Sequence, residues 1–521
     1  MATIKSWLQE CQSQAEGGHA GCQPAPFAPL RLVSVGLDGN PPRLVQRHGD
    51  EGPTEYATLS HCWGSAPPLQ TMKATLDSFS SAIPMDVLPK TFADAMQMAR
   101  DLAIPYIWID ALCIVQDDLQ EWQSEAARMD RVYSGSQLTI SAAQSSNGSE
   151  GCFRSDGNGY GEDEMLFRAK FAGDDQADLL VRVYRGDVRT SGTASNALSA
   201  RGWTLQEQLL SKRVVYCMQP EMHWCCSHHY GTESGLRFFK DQVGRSGLPL
   251  QMPYAPGRFL RPQLGKESEY WKWTRIVENY SSRSFTFPRD RVAAIAGIIR
   301  VMTVHIGEES VLGLWKTNIA KDLGWLRITR HIDPAFRSLA ESLPSWTWLA
   351  SQGRLSYDFW GFETLRNRSR SQVRHHVSLL EWNVQWDGTP YASAVISASL
   401  RLEGCVRDIR IRPFAAGAAS NPPYFQVFDE DIQRTNDSIW WRCSGQFDAG
   451  GVTETATYPC LLLRSRTFGE NSGTSRIFEE FLILAPASSS DDSKYRRIGL
   501  ARIDGELPVF DPSKKTEIVL V

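Results

Sequence analysis

The sequence predicts an α/β protein: a mostly parallel sheet flanked by helices, then a mixed helical middle region and a β-rich C-terminal region. Three observations carry this. Between residues 56 and 143, short apolar strands alternate with amphipathic helical segments, the order that builds a parallel sheet covered by helices. Helical patterns continue through residues 201–330. From about residue 375 onward, runs with strand alternation dominate. The expected organisation is an N-terminal extension with short strands over 1–55, an α/β domain over 56–215, a mixed helical continuation over 216–370 and a β-rich region over 371–521.

Each element has its own justification. Pro24 to Pro29 is Pro/Ala-rich and reads as a linker. Leu32-Val33-Ser34-Val35 and Arg43-Leu44-Val45 read as short strands on either side of an Asn40-Pro41-Pro42 turn. Tyr56 to Ser60 is a strand that runs into a loop at Gly64. Thr91, with Asp94 three residues later, reads as a helix cap. Phe92, Ala95, Met96, Ala99 and Leu102 then follow helical spacing, and Pro105 ends the helix. Tyr106 to Ile109 is a short, mostly apolar strand of the kind a buried parallel sheet uses, with Asp110 at its C-terminal end. A second helix is expected from about Leu119 to Tyr133, with Trp122, Ala126, Met129 and Tyr133 on one face. Leu138 to Ala143 is the next strand. Residues 144–200 are Gly-, Ser- and Asp-rich and read as loop, with a hairpin at Leu179 to Val183. The later strands are His375 to Trp386, Ala394 to Ile411, Ile439 to Cys443, Cys460 to Arg464, Phe481 to Leu484, Arg497 to Ile503 and Glu517 to Val521.

Composition narrows the function classes. The chain has 521 residues, 42% hydrophobic and 22% charged, with a net charge of −4, so two or three folded domains are expected. That balance, with no basic stripe, gives no electrostatic case for nucleic acid. No apolar run approaches the roughly 20 residues of a membrane span. The N-terminus lacks an apolar signal region, so a cytoplasmic location with reduced thiols is expected for the eleven cysteines. Seventeen tryptophans argue for an ordered protein in which most of these rings are buried.

In parallel sheets, ligands bind outside the carboxyl ends of the strands, which puts Ser60 to Gly64 and Asp110 to Asp117 at the expected site edge. The residues there also form ordered blocks. The first is Tyr56-Ala57-Thr58-Leu59-Ser60-His61-Cys62-Trp63-Gly64. The second runs from Tyr106 through Trp108, Asp110, Cys113, Gln116 and Asp118, and continues as Trp122, Glu125, Met129 and Tyr133. The third is Arg201-Gly202-Trp203-Thr204-Leu205-Gln206-Glu207-Gln208-Leu209-Leu210-Ser211. Together they resemble the fungal heterokaryon-incompatibility (HET) domain, whose first block is usually Ser-Tyr-Cys-Trp-Gly; His61 stands where tyrosine is commoner. Segments around Tyr280 to Phe287, Asp290 to Gly297, Gly313-Leu314-Trp315 and Pro344 to Trp348 resemble the region that follows many HET domains.

The resemblance implies a HET/TIR-like core. HET proteins include several that act in non-self recognition after hyphal fusion and trigger growth arrest or programmed cell death. Their domain is distantly similar to TIR domains, some of which cleave the nicotinamide–ribose bond of NAD. That comparison makes Glu125 the carried-over catalytic candidate: a carboxylate there would stabilise an oxocarbenium-like ribose, as glycoside hydrolysis requires. The bland alternative is a helix carboxylate paired with Arg128 or Arg131. Asp110 is a second catalytic candidate, able to orient a hydroxyl or base, or simply to cap the turn that follows. His61 and Cys62 are candidates for acid/base or nucleophilic chemistry, although neighbours on a strand point to opposite faces. Ser60, Trp63, Gly64, Trp108, Cys113, Gln116 and Tyr133 are candidate substrate-binding residues, although for Trp108 core packing is the stronger reading. Arg201, Trp203, Gln206 and Glu207 read as architectural.

No metal site is expected. Cys11, His19 and Cys22 form one cysteine–histidine cluster, and His223, Cys225, Cys226, His228 and His229 another, but neither shows the two clean pairs of a zinc site. No phosphate loop or dinucleotide fingerprint is present, so no cofactor is expected and NAD would enter only as substrate. Partners would be a second copy of the chain, a protein involved in recognition, or a small molecule. Three functions follow: a HET protein in non-self recognition or cell death, with an NAD hydrolase activity; a HET-like enzyme recruited to fungal secondary metabolism, doing acid/base or cyclisation work; and a non-catalytic interaction module.

Overall fold

The structure is a computed structural model. It describes residues 1–13, 19–47, 52–65, 67–153, 164–170, 176–182, 197–218, 221–235, 237–239, 266–329, 336, 342–357, 373–413, 425–427, 443–448, 455–469, 475–487, 493–505 and 507–521. The chain divides into two compact units. The first comprises Met1–Pro262 with Ala294–Ile298, and the second Gln263–Ala293 with Ile299–Val521.

The first unit is built on a nine-stranded mixed sheet. At its centre lie four parallel strands in the order β4 (Tyr106–Trp108), β3 (Tyr56–Ser60), β5 (Leu138–Ser141) and β8 (Arg213–Tyr216). Outside β4, the hairpin β1 (Arg31–Ser34) and β2 (Arg43–Gln46) adds antiparallel. Beyond β8, β9 (His223–Cys226), β10 (His229–Thr232) and β11 (Arg237–Phe239) continue antiparallel. A separate hairpin pairs β6 (Glu164–Lys170) with β7 (Gln176–Arg182). The sheet is therefore parallel only where helices cross between strands. Where the connection is a short turn, as at Cys226 to His229, only antiparallel pairing is reachable. This corrects the expectation of a mostly parallel sheet. It also shows that strands from residues 31–46 and 223–239 belong to the same sheet as the central block.

The helices of this unit are α1 (Ala2–Ser13), α2 (Leu76–Ser81), α3 (Lys90–Asp101), α4 (Asp110–Cys113), α5 (Leu119–Ala126), α6 (Met129–Gly135) and α7 (Trp203–Leu210). Strands β3, β5 and β8 are buried along their whole length, as parallel strands covered on both faces must be. Two local expectations are corrected. Thr91 does not cap α3: the cap position is Pro89, and the Thr91 hydroxyl, inside the helix, donates to Gly148 O at 3.1 Å. The helix expected over 119–133 is two helices, because Arg128 N bonds back to Glu125 O at 2.9 Å, a three-residue turn that re-aims the chain. Asp118 caps the first of them through Glu121 N.

The second unit contains two long helices, α8 (Lys266–Ser281) and most of α9 (Asp290–Ile306). It also holds two short ladders, β12 (Ser310–Val311) with β13 (Leu314–Trp315) and β14 (Leu326–Arg327) with β15 (Leu355–Ser356). Its ten-stranded sheet comprises β16 (Val373–His375), β17 (Ser378–Trp386), β18 (Val395–Gly404), β19 (Val406–Pro413), β20 (Phe425–Val427), β21 (Cys443–Phe447), β22 (Ala456–Gly469), β23 (Ser475–Pro486), β24 (Lys494–Gly505) and β25 (Thr516–Leu520). Because β23 pairs with both β22 and β24, the ladder β22-β19-β20-β21-β24-β23 closes on itself. Closure removes exposed edges. Alternate residues Ile409 and Ile411, Cys460 and Leu462, Phe481 and Ile483, and Ala501 and Ile503 form one buried cluster, the inward set of a small barrel. The strand expected over Ala394 to Ile411 is two strands, since the chain changes partners after Gly404 from β17 and β25 to β22. Most of the expected Ile439–Cys443 strand, and much of the 144–200 loop, lie outside the described residues.

Candidate functional site

The parallel strands end together, and Ser60 and Ser141 close neighbouring strands in direct register. Both residues are buried, and neither hydroxyl has a hydrogen-bond partner among the described residues. Two adjacent partnerless hydroxyls at one strand edge call for an explanation, since buried polar groups are normally satisfied.

From Ser60 the chain runs out as His61-Cys62-Trp63-Gly64. Gly64 has φ +78°, and a Cβ there would lie 2.8 Å from Asn147 Cβ, so both backbone and space demand glycine. Trp63 Nε1 donates to Asp110 Oδ2 at 2.9 Å, and Asp110 Oδ1 accepts from Ala111 N at 2.8 Å in the first turn of α4. Gln116 Nε2 donates to the backbone carbonyls of Asp110 and Ile114 at 3.0 and 3.1 Å. Arg201, ahead of α7, donates through Nη1 to His61 O. The loop after β3 is thus tied to the loop after β4 and to the third sequence block.

His61 is buried, with its Nδ1 3.7 Å from Asp110 Oδ1 and its ring edge-on to Phe92 of α3. Burial pushes its pKa down, Asp110 opposes this, and Arg201 adds to it, so the imidazole is neutral at pH 7. Its Nε2 is buried without a hydrogen-bond partner. Burial also pushes the Cys62 thiol up and the Cys113 thiol to about 12, against the thiolate character a nucleophile needs.

Glu125, in the last turn of α5, is 2% exposed. Its Oε1 lies 3.6 Å from Arg128 Nη1, too far for a hydrogen bond, and has no hydrogen-bond partner. Burial raises its pKa; Arg128 and Arg31 pull the other way. Arg31 is engaged elsewhere, donating to Cys113 O at 3.0 Å and pairing with Glu121. Trp108 is fully buried and packs edge-on against Tyr133, whose hydroxyl donates to Leu59 O at 3.3 Å. Tyr133 is raised well above its ordinary pKa, first by burial and then by Glu207 and Asp110.

The expected residues Ser60, His61, Cys62, Trp63, Gly64, Asp110 and Gln116 therefore meet at one edge, with Trp108 and Cys113 buried behind it. Glu125 and Tyr133 come from α5 and α6, between β4 and β5. Sequence reasoning missed Ser141, and it assigned Arg201 and Glu207 to architecture. The structure puts Arg201 on the His61 carbonyl, and both Arg201 and Glu207 within electrostatic reach of Cys62. The signal was present in the third block, which carries a charge at each of these positions. The two cysteine–histidine clusters also prove to be one in part. The ligand-capable atoms of Cys11, His19, Cys22 and Cys226 all lie within 4.8 Å of one another. Cys225, on the other face of β9, packs with Cys62 and Val214 instead.

Among the described residues, no helix is long and apolar enough to cross a membrane. No curated protein and no solved structure matches the chain. Residues 56–207 match the family model described as Heterokaryon incompatibility protein (HET). That span begins at β3 and ends inside α7, so it takes in the first two sequence blocks, the third as far as Glu207, and the polar edge. The chain accordingly carries a heterokaryon-incompatibility (HET) domain over residues 56–207.

Proposed function

We propose that the protein acts in non-self recognition or programmed cell death through its HET domain, and that Glu125 serves there in cleavage of the nicotinamide–ribose bond of NAD. The observation that carries the reading is the state of Glu125: a carboxyl almost removed from water, with one oxygen that has no hydrogen bond and only a 3.6 Å ion-pair contact with Arg128. At that distance Arg128, half exposed, leaves the oxygen without a hydrogen bond. In the reaction the C1′–N bond breaks and its electron pair leaves with nicotinamide. The carboxylate of Glu125 stabilises the cationic ribosyl carbon until water adds, and the water proton passes to solvent. Asp110, held by Trp63 and the α4 backbone, would orient a ribose hydroxyl. The test is incubation of the full-length protein with NAD, following nicotinamide release. Glu125→Gln, with an unchanged circular dichroism spectrum, should lower turnover by at least about 100-fold. No turnover by the unmodified protein, at concentrations that allow self-association, overturns the reading.

One observation favours a second reading. His61 is a neutral, buried imidazole with Asp110 at one nitrogen and nothing at the other, an arrangement suited to proton transfer on a small molecule. On that reading the domain is a recruited biosynthetic enzyme. His61→Gln would then abolish turnover of the small molecule, whereas NAD cleavage through Glu125 would persist.

A further inference from the structure

We propose that Cys11, His19, Cys22 and Cys226 bind one zinc ion in a closed tetrahedral site that fastens the N-terminal segment to the antiparallel wing of the first unit's sheet. The four residues come from three places in the chain: the last turn of α1, the tight turn at residues 19–22 and the end of β9. In that turn Cys22 N bonds His19 O at 2.8 Å, which brings His19 and Cys22 together as a short ligand pair. All four are at most 1% exposed.

The distances are those of ligands around an ion rather than of residues in ordinary packing. His19 Nδ1 lies 3.2 Å from Cys11 Sγ, 3.6 Å from Cys22 Sγ and 3.7 Å from Cys226 Sγ. With Zn–S near about 2.3 Å and Zn–N near about 2.0 Å, the edges of a tetrahedron run to about 3.5 Å for N···S and about 3.8 Å for S···S. One imidazole nitrogen facing three sulfurs has no other economical use, because a single ring nitrogen cannot serve three thiols as a hydrogen-bond partner.

The surroundings fit thiolates. Arg213 is 1% exposed, and its Nε donates to Cys11 Sγ at 3.1 Å; its Nη1 donates to Gln137 O at 3.1 Å. A buried guanidinium is costly without an anion beside it. Three thiolates around a divalent ion carry one net negative charge, which that guanidinium neutralises. Ser227 Oγ lies 2.8 Å from Cys22 Sγ, in place to donate a hydrogen bond to a metal-bound sulfur. Binding releases the three thiol protons to solvent and leaves no open coordination position, so the role is structural and not catalytic.

The test is elemental analysis of the full-length protein as purified, expected to give one zinc per chain. Cys22→Ser and Cys226→Ser should each lose the metal. Cys225→Ser, one residue away on the opposite face of β9, should keep it. If the serine variants do not fold, the unmodified protein still decides. Replacing zinc by cobalt should give the thiolate charge-transfer and tetrahedral ligand-field bands of a sulfur-rich site. Folded protein that takes up no zinc, a cobalt spectrum without thiolate bands, iron or copper in place of zinc, or a disulfide among the three cysteines on thiol titration would each overturn the assignment.

Discussion

Glu125 can be tested by stability as well as by turnover. Its pKa is raised in the fold by burial, so folding favours the protonated form. The stability tied to this group is fully present below its unfolded pKa and is lost as pH rises through the folded value. At neutral pH the buried charge is a cost, and Arg128, with its side chain half exposed, offsets little of it. Glu125→Gln is therefore expected to raise the melting temperature at pH 7–8, by about 2–4 °C for each kcal/mol recovered, with the gain vanishing near pH 4. A loss of stability at pH 7 would mean that the ion pair, not burial, governs this side chain. Gly64 gives a second residue-scale prediction. Its positive φ and the Asn147 contact at 2.8 Å make Gly64→Ala strained in both backbone and space. It should cost about 1–3 kcal/mol, read from the shift of a denaturant midpoint, and displace Trp63 from Asp110.

At the scale of elements, the alternating apolar strands and helix faces of residues 56–143 were legible because periodicity reports directly which face is buried. What periodicity cannot report is the partner of a strand. Arg31–Ser34 and His223–Cys226 carry the same local pattern whether they pair parallel or antiparallel, so the wings of the sheet emerged only from the structure. The break between α5 and α6 was hidden for the same reason: Trp122, Ala126, Met129 and Tyr133 keep helical spacing across it. The site was legible where one chain segment holds it, as in Ser60 to Gly64. It was illegible where distant segments meet, as with Arg201 at the His61 carbonyl or Cys226 beside His19. Closure of the second unit's barrel was likewise beyond the pattern, and it rests on a small residue. A Cβ on Gly499 of β24 would meet Gln446 O at 2.6 Å and Phe447 Cα at 3.2 Å, both in β21, as well as Ile483 Cδ1 at 3.1 Å. Backbone paired in a ladder cannot yield without breaking Gln446–Leu500 and Phe447–Gly499. Gly499→Val should thus destabilise by about 1–3 kcal/mol in calorimetry; an unchanged melt would show that β21 and β24 do not pair so closely.

At the scale of the whole molecule, two buried carboxyls of the second unit should add to the dependence of stability on pH. Burial pushes Asp322 from 3.8 and Glu479 from 4.5, each to about 7. Both are raised, so their contribution is complete below about pH 4 and declines as pH climbs through 7. Stability should therefore fall from about pH 4 upward, and between pH 6 and pH 8 by about 1.4 kcal/mol per group, with the melting temperature falling accordingly. The two differ in what removing the charge does. Asp322 accepts from Trp315 N at 2.7 Å and from the Asn318 side-chain amide at 2.7 Å. An amide at 322 can keep its oxygen on Trp315 and donate to Asn318 once that side chain turns over, so Asp322→Asn should flatten the pH slope at little cost. Glu479 accepts from two fixed backbone donors, Val509 N at 2.7 Å and Phe510 N at 3.3 Å. An amide there must turn its NH₂ toward one of them, and neither can rotate away. Glu479→Gln should flatten the slope and also lower stability by about 1–3 kcal/mol at pH 5, where the carboxyl is still protonated, a deficit that shrinks as pH rises. Calorimetric scans of both variants from pH 5 to 8 separate the two outcomes. A pH slope unchanged in either variant would assign the response to other groups.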